Sequence, residues 1–170
     1  MQKIAQFFKI SFNQFSIDFI NSSKNYKNYS KEKLETIYNS ITLPKRATKG
    51  SAGYDFFLPH DLNLNPNETI IITTGIRVSI DDGWVLKCYP RSSLGFKFKL
   101  KLDNTVGIID SDYFNAKNEG HIMAKITNNS DQILKLDEGS AFIQGVFVQY
   151  GITIDDDVEE LRTGGFGSTN

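Results

Sequence analysis

From residue 34 onward the chain is a succession of short runs rich in Ile, Val, Phe and Thr. Each is cut off by a strong turn signal: N-P-N-E at Asn65, D-D-G at Asp81, N-N-S-D at Asn128 and D-E-G at Asp137. Strand-length runs at that spacing predict an all-β fold, a jelly-roll-like β-sandwich or barrel. Neither an internal repeat nor a helix-length run with caps follows residue 40. A Rossmann or P-loop scaffold therefore has nowhere to form. Residues 96–102, F-K-F-K-L-K-L, alternate strictly. They predict a strand with Phe and Leu on one side and Lys97, Lys99 and Lys101 on a solvated one.

The first 30 residues read differently. Ile4, Phe7, Phe8, Phe12, Phe15 and Phe19 recur at helical spacing, although Phe8, Ile10 and Phe12 also alternate as in a strand. The expectation is an N-terminal extension, a short amphipathic helix followed by a polar linker over residues 21–30. Residues 31–161 would form the β domain and residues 162–170 a flexible C-terminal tail. Because the β pattern and the motifs below follow residue 28, removal of residues 1–28 is expected to be silent. Asn13, Gln14 and Asp18 break the apolar run, so neither a signal peptide nor a membrane span fits.

At 170 residues the chain is long enough for one domain with a real core. Its 19 Lys and Arg nearly balance 20 Asp and Glu, for a net charge of −1. No bulk attraction to nucleic acid or an acidic membrane follows, so a polyanionic ligand would have to be held by local arginines. The single cysteine, Cys88, lies in the apolar run W-V-L-K-C-Y. It excludes an intrachain disulfide, suits a reducing, cytoplasmic setting, and reads as a small core side chain. With only His60 and His121, a histidine-rich metal site is not expected.

Several stretches carry chemistry. In N-T-V-G-I-I-D-S-D-Y, residues 104–113, an apolar pair runs into Asp110. Two readings stand: a strand ending in an Asx turn, which would tolerate Asn, or a carboxylate held where it deprotonates a water for attack on phosphorus. In P-R-S-S-L-G, Arg91, Ser92 and Ser93 present a guanidinium fork and two hydroxyls. That is either a phosphate-binding set or a turn whose serines cap the next element. The tail R-T-G-G-F-G-S-T offers Arg162, Ser168 and Thr169 to a phosphate and Phe166 to a base. A lid ordered by substrate and a disordered terminus are compatible readings of it.

Together with G-S-A-G-Y-D-F (residues 50–56) and G-S-A-F-I-Q-G-V-F (residues 139–147), these stretches resemble, in order, the five motifs of the trimeric dUTPases. The resemblance spans about residues 34–170. It implies a dUTPase-like fold and a dUTP diphosphatase that yields dUMP and pyrophosphate, limiting uracil incorporation into DNA and supplying dUMP for thymidylate synthesis. Carried over residue by residue, Asp110 would activate the attacking water. Arg91, Ser92 and Ser93 would contact the triphosphate. Asn104, with the hairpin residues Gly107, Ile108, Ile109 and Met123, would read uracil as a pairing partner does. Tyr113, flat under the deoxyribose, would exclude a 2′-hydroxyl. Arg162, Phe166, Gly167, Ser168 and Thr169 would close the site.

The match is incomplete. G-S-A-F-I-Q lacks the acid and arginine usual in the fourth motif, so only Gln144 carries over, to an α-phosphate or a metal-bound water. Residues 114–120, F-N-A-K-N-E-G, replace a shorter continuation after Tyr113. By resemblance the cofactor is Mg2+, held through phosphate oxygens and waters with no direct protein ligand and oriented by Asp55 and Gln144. The implied partners are dUTP and two further copies in a homotrimer with shared sites, without nucleic acid or membrane. A dCTP deaminase of the same fold, which would need a glutamate such as Glu119, and a non-catalytic nucleotide-binding regulator are the alternatives.

Overall fold

The computed structural model describes residues 2–160, 162 and 164, and it corrects the all-β expectation: the chain is mixed α/β. Strand β1 (Ala5–Lys9) leads into helix α1 (Phe12–Ser22), and after a single 3-10 turn at Lys24–Tyr26 comes α2 (Lys31–Ser40). Then follow β2 (Lys45–Arg46), β3 (Tyr54–Phe57), β4 (Leu62–Leu64), β5 (Thr69–Thr73), β6 (Ile76–Ile80) and β7 (Trp84–Pro90). A third helix, α3 (Ser92–Phe98), precedes β8 (Lys101–Leu102), β9 (Gly107–Ile109), β10 (Met123–Thr127), β11 (Leu134–Leu136) and β12 (Ala141–Gln149).

Among the described residues the strands form four open sheets rather than a closed barrel: β2-β3-β12-β7-β9, β5-β10-β8, β4-β11 and β1-β6. In the largest, β12 lies between β3 and β7 and runs antiparallel to both, with Gln144 opposite Asp55 on one side and Tyr89 on the other. Gly145 is required where the core closes over this strand. A Cβ there would stand 2.7 Å from Leu86 Cδ1.

The N-terminal segment carries both signals seen in the sequence, one after the other. Residues 5–9 pair with β6, Phe7 opposite Val78. Ser11 then caps α1, its Oγ accepting from Gln14 N–H at 3.1 Å. Within α1, Phe15 and Phe19 are one helical turn apart and fully buried. The expected linker is also structured: Tyr26 stacks on Phe19 with centroids 4.5 Å apart and planes 27° from parallel. Ser30 caps α2, whose Leu34 and Ile37 join the same core as Phe56, Leu86 and Phe142. Removal of residues 1–28 is therefore no longer expected to be silent, since it strips β1 from β6 and Phe15 and Phe19 from the core. A single Phe19→Ala change is expected to cost about 3–5 kcal/mol, read as a lower urea midpoint at unchanged slope; a loss below about 1 kcal/mol would refute the burial argument.

Residues 96–102 do not form the expected strand. Pro90 closes β7, and the chain turns into α3, where Leu94 and Phe98, at i and i+4, are both buried while Phe96 is 90% exposed. Lys99 ends the helix in the left-handed region at φ 48°. The apparent period of two came from a helix whose exposed face happens to carry a phenylalanine. Among the described residues no helix is long and apolar enough to cross a membrane.

Candidate active site

The hairpin after β8 builds the first half of the site. Thr105, at φ 63°, donates its N–H to Leu102 C=O at 2.9 Å, turning the chain tightly into β9. Gly107 sits opposite Cys88, where a Cβ would come within 3.2 Å of the cysteine's own. Asn104, Gly107, Ile108, Ile109 and Met123, all expected to meet the base, line one cleft of about 130 Å³. Because β9 is the edge of its sheet, one side of its backbone has no strand partner among the described residues. Cys88, in the floor of the cleft, is buried, and burial pushes its thiol up to about 12, consistent with an inert core side chain.

Asp110 stands where β9 ends, at the head of the 3-10 turn Ser111–Asn115. Its side chain makes no capping bond to that turn, so the Asx-turn reading does not describe it. Half exposed, the carboxylate instead faces Arg162, whose Nη1 lies 3.3 Å from Asp110 Oδ2 and 3.0 Å from Asp112 Oδ1. The same guanidinium sits 5.3 Å from the centre of the Tyr113 ring. Tyr113 is buried, donates its O–H to the His121 carbonyl at 2.9 Å and accepts from Asn118 Nδ2 at 2.8 Å. Burial raises the pKa of its phenol, which therefore stays protonated.

The second half lies at the other end of β7. Arg91 occupies the position before α3, and Ser92 and Ser93 open that helix with their side chains outward. Arg91 Nε pairs with Asp55 Oδ1 at 3.2 Å, leaving the Nη groups out of that contact. Gln144 is next to Asp55 in register, and Gly53 makes room for its amide, since a Cβ at 53 would fall 2.5 Å from Oε1. No sequence motif marks the Asp55–Arg91 pair. It is visible only through register, because Asp55 lies on β3 and Arg91 directly follows β7, with β12 between the two strands.

The two halves do not meet within one chain. The pairings Cys88–Gly107 and Leu86–Ile109 put Asp110 level with Val85, whereas Arg91 follows Pro90. Six strand positions at ~3.3 Å each separate them by about 20 Å. Phe166, Gly167, Ser168 and Thr169 lie outside the described residues.

Two observations narrow the alternatives. Glu119, the glutamate a deaminase would need, is occupied: its carboxylate accepts from Ser11 N–H at 2.7 Å and Ser11 O–H at 2.6 Å. A larger cleft of about 560 Å³, between the end of α1 and strands β4 and β5, contains none of the expected site residues.

An edge-strand cleft of base-like size, a half-exposed carboxylate one residue past its lining Ile109 and a separate Arg-Ser-Ser set describe a nucleotide hydrolase. The chain belongs to the dUTPase family, whose family model matches residues 39–170. It is 41% identical over 132 residues to the deoxyuridine 5'-triphosphate nucleotidohydrolase of Lactococcus lactis, covering 76% of this chain and 88% of that protein. The enzyme of the same name from Hahella chejuensis is 39% identical over 139 residues, covering 77% of this chain and 88% of the relative. The crystal structure of the dUTPase from Streptococcus mutans superposes with a TM-score of 0.63 at 32% identity, covering 86% of this chain and 97% of that one. These comparisons give the deaminase reading no support.

Proposed function

We propose that this chain hydrolyses dUTP to dUMP and pyrophosphate with Asp110 as the base. The observation that carries this reading is the Asp110 carboxylate, half exposed, without a capping bond to its own turn and one residue past Ile109, which lines the cleft. Uracil presents an N–H donor between two carbonyl acceptors, a pattern the unpaired backbone edge of β9 can match, with the Asn104 side chain completing it. Thymine's methyl group and cytosine's reversed donor pattern are excluded there. A water beside Asp110 gives up its proton to the carboxylate as its oxygen attacks the α-phosphorus, and the bond from that phosphorus to the bridging oxygen breaks, releasing pyrophosphate.

Arg91, Ser92 and Ser93 are the donors for the triphosphate. Because they stand about 20 Å from their own Asp110, we read the working unit as a homotrimer in which the phosphate set of one chain faces the hairpin of a neighbour. Asp55 and Gln144 are hard oxygen donors on adjacent strands, a set suited to the waters of a Mg2+ ion carried on phosphate oxygens. Bound there, Mg2+ would supply charge neutralisation on the triphosphate.

A pyrophosphate-release assay with dUTP, dCTP and UTP tests the reading. Pyrophosphate from dUTP alone is expected; pyrophosphate from none of the three, or ammonia from dCTP in a parallel deamination assay, would overturn it. Tyr113→Ala is expected to raise UTP hydrolysis relative to dUTP by about 10–100-fold, since the ring under the sugar is what rejects the extra hydroxyl. An unchanged ratio would remove Tyr113 from that role.

A further inference from the structure

The loop that follows Tyr113 is clamped by the N-terminal segment. Asp18, on α1, accepts from His121 Nδ1 at 2.6 Å, and the Gly75 N–H donates to His121 Nε2 at 2.8 Å. Since Nε2 accepts, Nδ1 carries the proton, and the imidazole is held at both nitrogens by two different elements. His121 is fully buried and Asp18 partly so. It is the carbonyl of this doubly anchored residue that takes the Tyr113 O–H. Further along the loop Glu119 is bound to Ser11, the Phe114 ring rests 5.8 Å from Phe8, and the Arg77 guanidinium lies 3.6 Å from the centre of the Phe114 ring while donating to the Phe114 carbonyl.

Residues 8, 11 and 18 all precede the stretch matched by the family model, and residues 114–120 are where the chain departs from the motif it resembles. These two departures touch each other through Ser11–Glu119 and Phe8–Phe114, and a third contact, Asp18–His121, reaches the residue that holds the Tyr113 hydroxyl.

We infer that Asp18, acting through His121, is a positioning residue for Tyr113, so that the N-terminal segment sets the enzyme's discrimination between deoxyribose and ribose. The inference rests on the reading of Tyr113 as the residue under the sugar. Losing the Asp18 carboxylate leaves the Nδ1–H of a buried ring without its partner, and a shift of the backbone at 121 that re-pairs the ring moves the carbonyl at the far end of the Tyr113 side chain. A ring tilted away from the sugar admits a 2′-hydroxyl while Asp110 stays in place.

The full-length protein tests this directly. Asp18→Ala is expected to lower the ratio of kcat/KM for dUTP to that for UTP about tenfold, with kcat on dUTP changed less than about threefold. Asp18→Asn, whose amide oxygen can still accept the Nδ1 proton, should restore most of the ratio. Ile20→Ala, on the same helix and packed against the core, serves as the control: it should lower Tm without moving the ratio. If Asp18→Ala does not fold, Asp18→Ser carries the same comparison. A wild-type ratio in the Asp18 variant while Tyr113→Ala shifts it would overturn the positioning role alone. An unchanged ratio in both would overturn the sugar-ring reading beneath it. An equal shift in Ile20→Ala would reduce the effect to general loosening and overturn the inference as well.

Discussion

Asp110→Asn is expected to lower kcat for dUTP by about 10³-fold, within the range a positioned base contributes, while binding of a non-hydrolysable dUTP analogue changes by less than about threefold. The amide keeps the size and planarity of the carboxylate but cannot take the water's proton. Structural disruption is not expected, because the Asp110 side chain makes no capping bond to the turn that follows it. Part of the Arg162 contact survives too, since that guanidinium is nearer to Asp112 at 3.0 Å than to Asp110 at 3.3 Å. Single-turnover release of pyrophosphate, compared with calorimetric binding of the analogue, separates chemistry from affinity. A variant within about tenfold of wild-type turnover would show that the proton goes elsewhere.

What could be read from the sequence was local, and what could not was set by register and packing. The four turn signals all fall between strands: Asn65 before β5, Asp81 before β7, Asn128 before β11 and Asp137 before β12. Two of them carry the positive φ that their glycines permit, 80° at Gly83 and 76° at Gly139. Turn chemistry depends only on neighbouring residues, so it survives without tertiary information.

The helices were harder. The apolar residues of the N-terminus match both a strand and a helix because the segment is each in turn, with the change made at Ser11. In α3 the pair Leu94 and Phe98 was hidden by an exposed Phe96, which gave a false period of two. Those three helices, together with open sheets, are what turned an expected all-β barrel into a mixed fold.

The same division runs through the site. Asp110, Arg91 and Gln144 are candidates on the strength of short motifs, whereas the Asp55–Arg91 pair depends on strand order. The Asp18–His121 contact joins residues 103 positions apart with no motif to flag it. The gap between Asp110 and Arg91 likewise became visible only once β7 and β9 were aligned.

That gap gives the second large effect. Arg91→Ala should leave Asp110 and the hairpin intact yet remove the guanidinium fork from the triphosphate, while Asp110→Asn leaves the phosphate set intact and removes the base. Each variant alone should show about 1% of wild-type activity or less at limiting substrate. If the base of one chain serves the phosphate set of the next around a closed ring, subunits exchanged at equal concentration rebuild a fully wild-type site wherever an Arg91→Ala chain supplies the hairpin and an Asp110→Asn chain supplies the arginine. Random assembly gives that arrangement at about one interface in four. The mixture should therefore recover about a quarter of wild-type activity, far above the sum of its parents. Activity at the level of that sum, after exchange has been verified by mass spectrometry of the assemblies, would mean that each chain brings its own Asp110 to its own Arg91. The two would then have to cross a separation of about 20 Å within one subunit. Strands β7 and β9, hydrogen-bonded in register through Cys88 and Gly107, would have to part for that to happen, so failure of the mixture would also require a second conformation of the sheet.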